Sequence, residues 1–232
     1  MLKNKQVVIL IGPPGAGKGT QGGLLAEKLG LYYFETSKIL EKSFQEHGKG
    51  DFLEVEGEKY FFENEEEIWK KGVLCSPAFV TQLVKEKIED LFEKGESLLL
   101  SGSPRTLYEG ENLMPFLEKI YGKENIKIVL LEITPEQTIF RNSNRRICEL
   151  MRHPILYTKE TKGLTLCPLD GSKLIKRKGL DDPDVIPKRL EQFQERTMPL
   201  LELFAEMNFE VKKVNGEGTV VDVFERNLKA LQ

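Results

Sequence analysis

Long apolar runs are missing from this sequence. The longest, Val7–Ile11, Leu98–Leu100 and Ile128–Leu131, fall far below the ~18–20 residues that a membrane helix needs, so neither a span nor a membrane partner is expected. Cysteine is scarce. Cys75, Cys148 and Cys167 are the three in the chain, too few and odd in number for a disulfide framework, so they read as thiols in a reducing compartment, either core fillers or metal ligands. Charge of one sign is lacking too: 34 Lys and Arg stand against 37 Asp and Glu, a net charge of −3, which excludes a global basic field for nucleic acid. There is no internal repeat or low-complexity tract, and no signal-peptide core precedes the first apolar run. A cytoplasmic location is the expectation, and the charge balance together with the absence of an exposed apolar heptad favours a monomer.

What remains is an ordinary globular composition, 232 residues with 40% hydrophobic and 31% charged, in which folding can remove roughly 70–75% of the unfolded surface from water. Apolar, β-branched runs recur at Gln6–Ile11, Leu31–Phe34, Ser97–Leu100, Ile126–Ile133 and Phe209–Val214. Between most of them lie stretches with 3.6-residue apolar spacing: Gly17–Leu29, Ser76–Lys94, Tyr108–Tyr121, Pro135–Arg146 and Pro183–Met207. This βαβα rhythm predicts an α/β fold with a five-stranded parallel sheet flanked by helices. Ser76 is the expected N-cap of its helix, ahead of Pro77, with Gly95 just past the end.

Two stretches interrupt the rhythm. Glu41–Lys70 carries ten acids against four lysines and little β character, which predicts an acidic, helical inserted lobe. Arg152–Lys178 alternates turn residues with short β-like pieces, inside a region, Arg141–Arg189, with twelve Lys and Arg against six acids. It predicts a second, basic lobe.

The strongest local signal is Gly12-Pro13-Pro14-Gly15-Ala16-Gly17-Lys18-Gly19-Thr20, which follows an apolar strand and opens a helix. Glycines there let backbone N–H groups surround an anion, the helix N-terminus adds positive charge, and a lysine reaches the terminal phosphates. A nucleoside triphosphate is the expected ligand. Gly19 stands where a Ser or Thr hydroxyl would meet Mg²⁺, and Thr20 comes one residue later.

Gly17–Gln21 resembles the loop of adenylate kinases and related nucleoside monophosphate kinases. Further segments follow in the family's order: Gly102-Ser103-Pro104-Arg105-Thr106; Arg141 with Arg145 and Arg146; Cys148 with Cys167 and Asp170-Gly171; Arg177 with Asp181-Asp182; and Lys188-Arg189-Leu190. The resemblance runs from about residue 5 to residue 230. It implies a P-loop kinase fold with a core of residues 1–35, 73–146 and 179–232, an acceptor lobe of 36–72 and a lid of 147–178. It also implies transfer of the ATP γ-phosphoryl group to a nucleoside monophosphate, AMP by default, with Mg²⁺ as cofactor.

By the same resemblance, Gly12, Gly15, Ala16, Gly17, Lys18, Gly19, Thr20, Arg141 and Arg145 bind ATP. Thr36, Arg105, Glu109 and Arg189 bind the monophosphate, and Lys18, Arg105, Arg145, Arg177 and Arg189 stabilise the transferring group. Asp181 and Asp182 are hinge and lid-contact residues, or a helix N-cap ahead of Pro183.

Several positions depart from the family. Its acceptor-phosphate arginine is Glu41, so Lys38 or Lys42 would supply the cation unless the segment is shifted. Its base-reading glutamine is Glu109, which accepts hydrogen bonds but donates none, leaving open an acceptor other than AMP. Its metal-facing aspartate is Ser101, leaving no carboxylate assigned to Mg²⁺. With Glu41, this keeps open a nucleotide-binding protein of weakened turnover. Cys148, Cys167 and Asp170 fill three of four zinc-type lid positions and Met151 the fourth, so either zinc binds with help from His153, or the lid holds by packing Met151, Ile155, Leu164 and Leu166 around buried thiols.

Overall fold

The structure, a computed structural model, describes residues 5–152, 154–177 and 181–232. In chain order it contains β1 (Val7–Ile11), α1 (Lys18–Leu29), β2 (Tyr32–Glu35), α2 (Thr36–Glu46), β3 (Phe52–Val55), β4 (Glu58–Phe61), α3 (Phe62–Lys70), α4 (Pro77–Glu93), β5 (Leu98–Ser101) and α5 (Leu107–Tyr121). There follow β6 (Ile126–Glu132), α6 (Pro135–Ser143), β7 (Arg146–Cys148), β8 (Pro154–Ile155), β9 (Leu174–Ile175), α7 (Val185–Gln192), α8 (Leu200–Glu206), β10 (Val211–Asn215) and α9 (Val220–Ala230).

The main sheet has the order β10-β6-β1-β5-β2 and all its pairings are parallel. Its apolar strands are explained by two cores. Val7, Ile9 and Ile11 face one core with Phe79, Ile88, Leu113 and Phe204, while Val8 and Leu10 face another with Leu25, Ala26 and Val223. Because side chains alternate across a strand, burial on both faces requires an unbroken apolar run. β1 lies between β5 and β6, and the chain leaves it toward β2 on one side before crossing to β6 on the other. Parallel sheets bind ligands at such a reversal, outside the carboxyl ends of the strands.

The five strands and the α/β class agree with the sequence reading, as do the short strands and turns among the described residues of Arg152–Lys178, and the first inserted segment differs from it. Glu41–Lys70 is not wholly helical: β3 and β4 pair antiparallel between α2 and α3. Their two-residue turn, Glu56-Gly57, has both φ values positive at 54° and 84°, the geometry that matches strand twist in a hairpin. Phe52 pairs with Phe61 across it, ring centroids 5.7 Å apart, and Leu53 and Tyr60 pack toward the core.

The expected Pro183–Met207 helix is two helices joined by a wide turn at Phe193–Thr197, and it starts at Val185. Asp182 contributes its carbonyl, which accepts from the Val185 and Ile186 N–H groups; Asp184 holds the cap position with no side-chain bond. Ser76 likewise makes no side-chain cap, and its N–H donates to Glu65 Oε2 at 2.8 Å.

Candidate active site

The phosphate loop emerges from β1 at the reversal point and closes onto α1. Gly17 caps that helix in the left-handed region, φ 92°, a conformation glycine adopts at no steric cost. Lys18 turns back over the loop, its Nζ donating to the Gly12 carbonyl at 2.5 Å and the Pro13 carbonyl at 3.0 Å. Gly12, Gly15, Gly17, Lys18, Gly19 and Thr20 line a cavity. Ala16 is buried behind them.

Arg105, Arg145, Arg177 and Arg189 line the same cavity, although they come from four separate segments. Burial pushes the Lys18 ammonium well below its usual pKa, and Arg105, Arg189 and Arg145 push it further. Arg145 and Arg189 are lowered by the same causes, burial first and then neighbouring cations. A chamber that crowds cations out of water is built for a polyanion, whose charge would relieve each of those penalties.

Asp181 holds the arginines in place. It is fully buried, takes two hydrogen bonds from Arg177, and lies 3.9 Å from Arg145 and 4.0 Å from Arg189. Arg141 stands elsewhere: it donates to the carbonyls of Gly15 and Gly216 at 3.3 and 3.0 Å, tying the phosphate loop to the segment after β10.

On the opposite wall, Thr36 begins α2 and donates to Ser103 Oγ at 3.0 Å. Glu41 lines the cavity as well. Lys38 lines it too, 3.6 Å from Glu35, whereas Lys42 pairs with Glu46. Glu109 is buried, with its oxygens engaged by protein donors: the Arg105 N–H at 3.0 Å and the Thr106 hydroxyl at 3.2 Å. Burial raises its carboxyl pKa, and Arg105 opposes the rise. Thr197, in the wide turn, donates to the Arg105 carbonyl at 2.8 Å, and Gly102 lets the guanidinium fold in, since a Cβ there would sit 2.7 Å from Arg105 Nη2.

Two charged cavity residues escaped the sequence reading. Glu35 ends β2 with its Cα paired to that of Ser101, so a carboxylate lines the cavity one strand away from the serine; Ser37 Oγ donates to it at 3.1 Å. Its place at the carboxyl end of a strand beside β5 was the available signal. Arg152 reaches in from beyond β7, and nothing in its local sequence marks it.

One ligand atom from each of Cys148, Cys167 and Asp170 comes within 4.8 Å of the others. His153 lies outside the described residues. Cys148 and Cys167 are buried thiols and Ile155 and Leu164 half-buried, as a packed lid would have them, whereas Met151 and Leu166 are 61% and 53% exposed. Cys75 belongs to the main core, and burial pushes its thiol up to about 12, which makes it a core filler.

The family model for adenylate kinase matches residues 10–209. The chain belongs to the adenylate kinase family. It is 31% identical over 221 residues to the adenylate kinase of Bacillus subtilis, covering 94% of each chain. It is 32% identical over 205 residues to that of Clostridium tetani, covering 87% of each, and 31% identical over 226 residues to that of Chlamydia pneumoniae, covering 97% of each. As an adenylate kinase family member it is a nucleoside monophosphate kinase, a phosphotransferase acting through nucleotide binding.

Proposed function

We propose that the cavity transfers the γ-phosphoryl group of ATP reversibly to AMP, ATP + AMP = 2 ADP. The observation that carries this reading is the convergence of Lys18, Arg105, Arg145, Arg177 and Arg189 on one cavity beside the phosphate loop. Phosphoryl transfer asks a protein for position and positive charge rather than covalent chemistry. ATP lies along Gly12, Gly15, Ala16, Gly17, Lys18, Gly19 and Thr20, with Arg145 on its phosphates and Arg141 near its base. AMP lies between Thr36, Arg105, Glu109 and Arg189. As charge moves onto the bridging and transferring oxygens, Lys18 and the arginines gain attraction, so they favour the transition state over the substrates. Residues 36–72 act as the acceptor lobe and 147–178 as the lid, and their closure keeps water from taking the phosphoryl group.

Mg²⁺, bound with ATP, neutralises phosphate charge. Gly19 and Ser101 offer it no carboxylate, while the Glu35 carboxylate lines the cavity beside Ser101 and suits a hard cation that keeps most of its waters. Zinc in the lid is supported by the approach of Cys148, Cys167 and Asp170, two thiols and a carboxylate of the types zinc prefers. The Asp170 carboxyl is held well below the usual range by hydrogen bonds from Cys148 and Ser172, so it is ready as an anionic ligand.

The enzyme works as a monomer in the cytoplasm on this reading, in keeping with three cysteines that form no disulfide. Among the described residues no helix is long and apolar enough to cross a membrane. A coupled assay with ATP, Mg²⁺ and a panel of monophosphates tests the proposal. AMP as the preferred acceptor supports it; another base, or no turnover with any, overturns it.

A further inference from the structure

Across the mouth of the cavity, Arg152 Nη2 lies 3.5 Å from Glu41 Oε1. The two residues are 111 positions apart, one on α2 in the acceptor lobe and the other beyond β7 in the lid. The cations nearest to Glu41 on its own helix have other partners, Lys38 with Glu35 and Lys42 with Glu46. The carboxylate is therefore met from the opposite side of the cavity.

A second observation concerns the backbone. Arg152 has φ 58°, and its N–H closes a turn onto the Cys148 carbonyl at 3.1 Å. A left-handed conformation is a strained one for a residue with a Cβ. Glycine would fit this turn without strain, yet an arginine stands there, with its side chain directed at Glu41.

We infer that Glu41 and Arg152 form an ion-pair latch that couples the closed position of the lid to that of the acceptor lobe, which makes Arg152 a positioning residue for phosphoryl transfer. The carboxylate at 41 thereby has a use: an arginine at that position would face Arg152 as a like charge. Glu41 and Arg152 side chains are 28% and 50% exposed, so salt screens the pair and its worth is that of a surface ion pair, about two- to fivefold in the balance of closed and open forms. Because enzymes of closing lobes are often limited by reopening, the latch trades acceptor affinity against release.

Its effect on turnover rests on the transfer reading above; its effect on shape does not. Trp69, the single tryptophan of the chain, lines the same cavity and reports closure without a label. Acrylamide quenching of Trp69, with the KM for AMP and kcat, would be measured on the full chain for Glu41→Gln, Arg152→Gln, Arg152→Gly, the double Glu41→Gln/Arg152→Gln, and the exchanged pair Glu41→Arg/Arg152→Glu. Each single change should raise quenching and raise KM about two- to fivefold at low salt. Arg152→Gly should match Arg152→Gln although it relieves the turn. The double variant should add nothing further, and the exchanged pair should return both readings toward wild type. Unchanged single variants, single effects that multiply in the double, or an exchanged pair that fails to restore quenching would each overturn the latch. Should the wild type fail to phosphorylate AMP, the quenching series still decides it.

Discussion

Arg177 grips Asp181 with both arms of its guanidinium, Nε at 2.9 Å and Nη2 at 2.7 Å from the two carboxylate oxygens. The pair orients an arginine toward the cavity, and the same carboxylate lies within 4.0 Å of Arg145 and Arg189. One buried anion thus serves three cations that would otherwise repel one another.

Removing that anion while keeping its shape should be expensive. Asp181→Asn takes a shared buried counter-charge away from three partly buried guanidinium groups, a loss of roughly 3 kcal/mol, which for a chain of this size is about 6–12 °C of melting temperature. Turnover should fall with it. A thermal melt within 2 °C of wild type would mean that the arginines do not depend on Asp181.

Lys18→Met should separate stability from activity. The ammonium is disfavoured by burial and by Arg105, Arg189 and Arg145, so its loss should leave the melt unchanged or raise it. The kcat should fall more than tenfold, a barrier increase above about 1.4 kcal/mol. Retention of a tenth or more of wild-type kcat contradicts the loop assignment.

Glu109 gives a prediction that the sequence alone did not. Its oxygens hold the Arg105 N–H and the Thr106 hydroxyl, so Glu109→Gln, which keeps one acceptor oxygen, should raise the KM for every monophosphate by a similar factor, about three- to tenfold for one weakened charged hydrogen bond. The ratios of kcat/KM among bases should stay constant. A shift of those ratios toward AMP would assign base reading to residue 109 instead.

The lid can be tested by its metal. Protein purified without chelator should carry close to one equivalent of zinc, and EDTA should lower its melting temperature, because a structural zinc is worth on the order of 10 kcal/mol tied to folding. Cys167→Ser should abolish both. Less than a tenth of an equivalent, with an EDTA-insensitive melt, rules the site out.

The core was readable because it is periodic. β1, β5 and β6 carry unbroken apolar runs, and the glycine-rich loop stands between a strand and a helix, so local chemistry names both the element and its ligand. The hairpin at Phe52–Phe61 was not readable in the same way. Its turn is Glu56-Gly57 rather than an Asn-Gly or Asp-Gly pair, and its charged residues mask the alternation. Glu35, marked only by its place at a strand end, and Arg152, marked by nothing local, were missed for a different reason. Their place in the cavity depends on which strand or lobe lies opposite, and the pairing of Glu35 with Ser101 joins segments 66 residues apart.

The alternation along β1 also governs how this site can change over time. Odd-numbered residues there serve one core and even-numbered residues the other, while β6 pairs with all five residues of the strand and β5 with the first four. Aliphatic side chains can trade places within each core at modest cost, provided volume is kept. A single inserted or deleted residue cannot be absorbed in this way: it sends every following side chain to the wrong face and displaces Gly12 from the head of the strand. The count of residues leading into the phosphate loop is therefore far less free to drift than their identity.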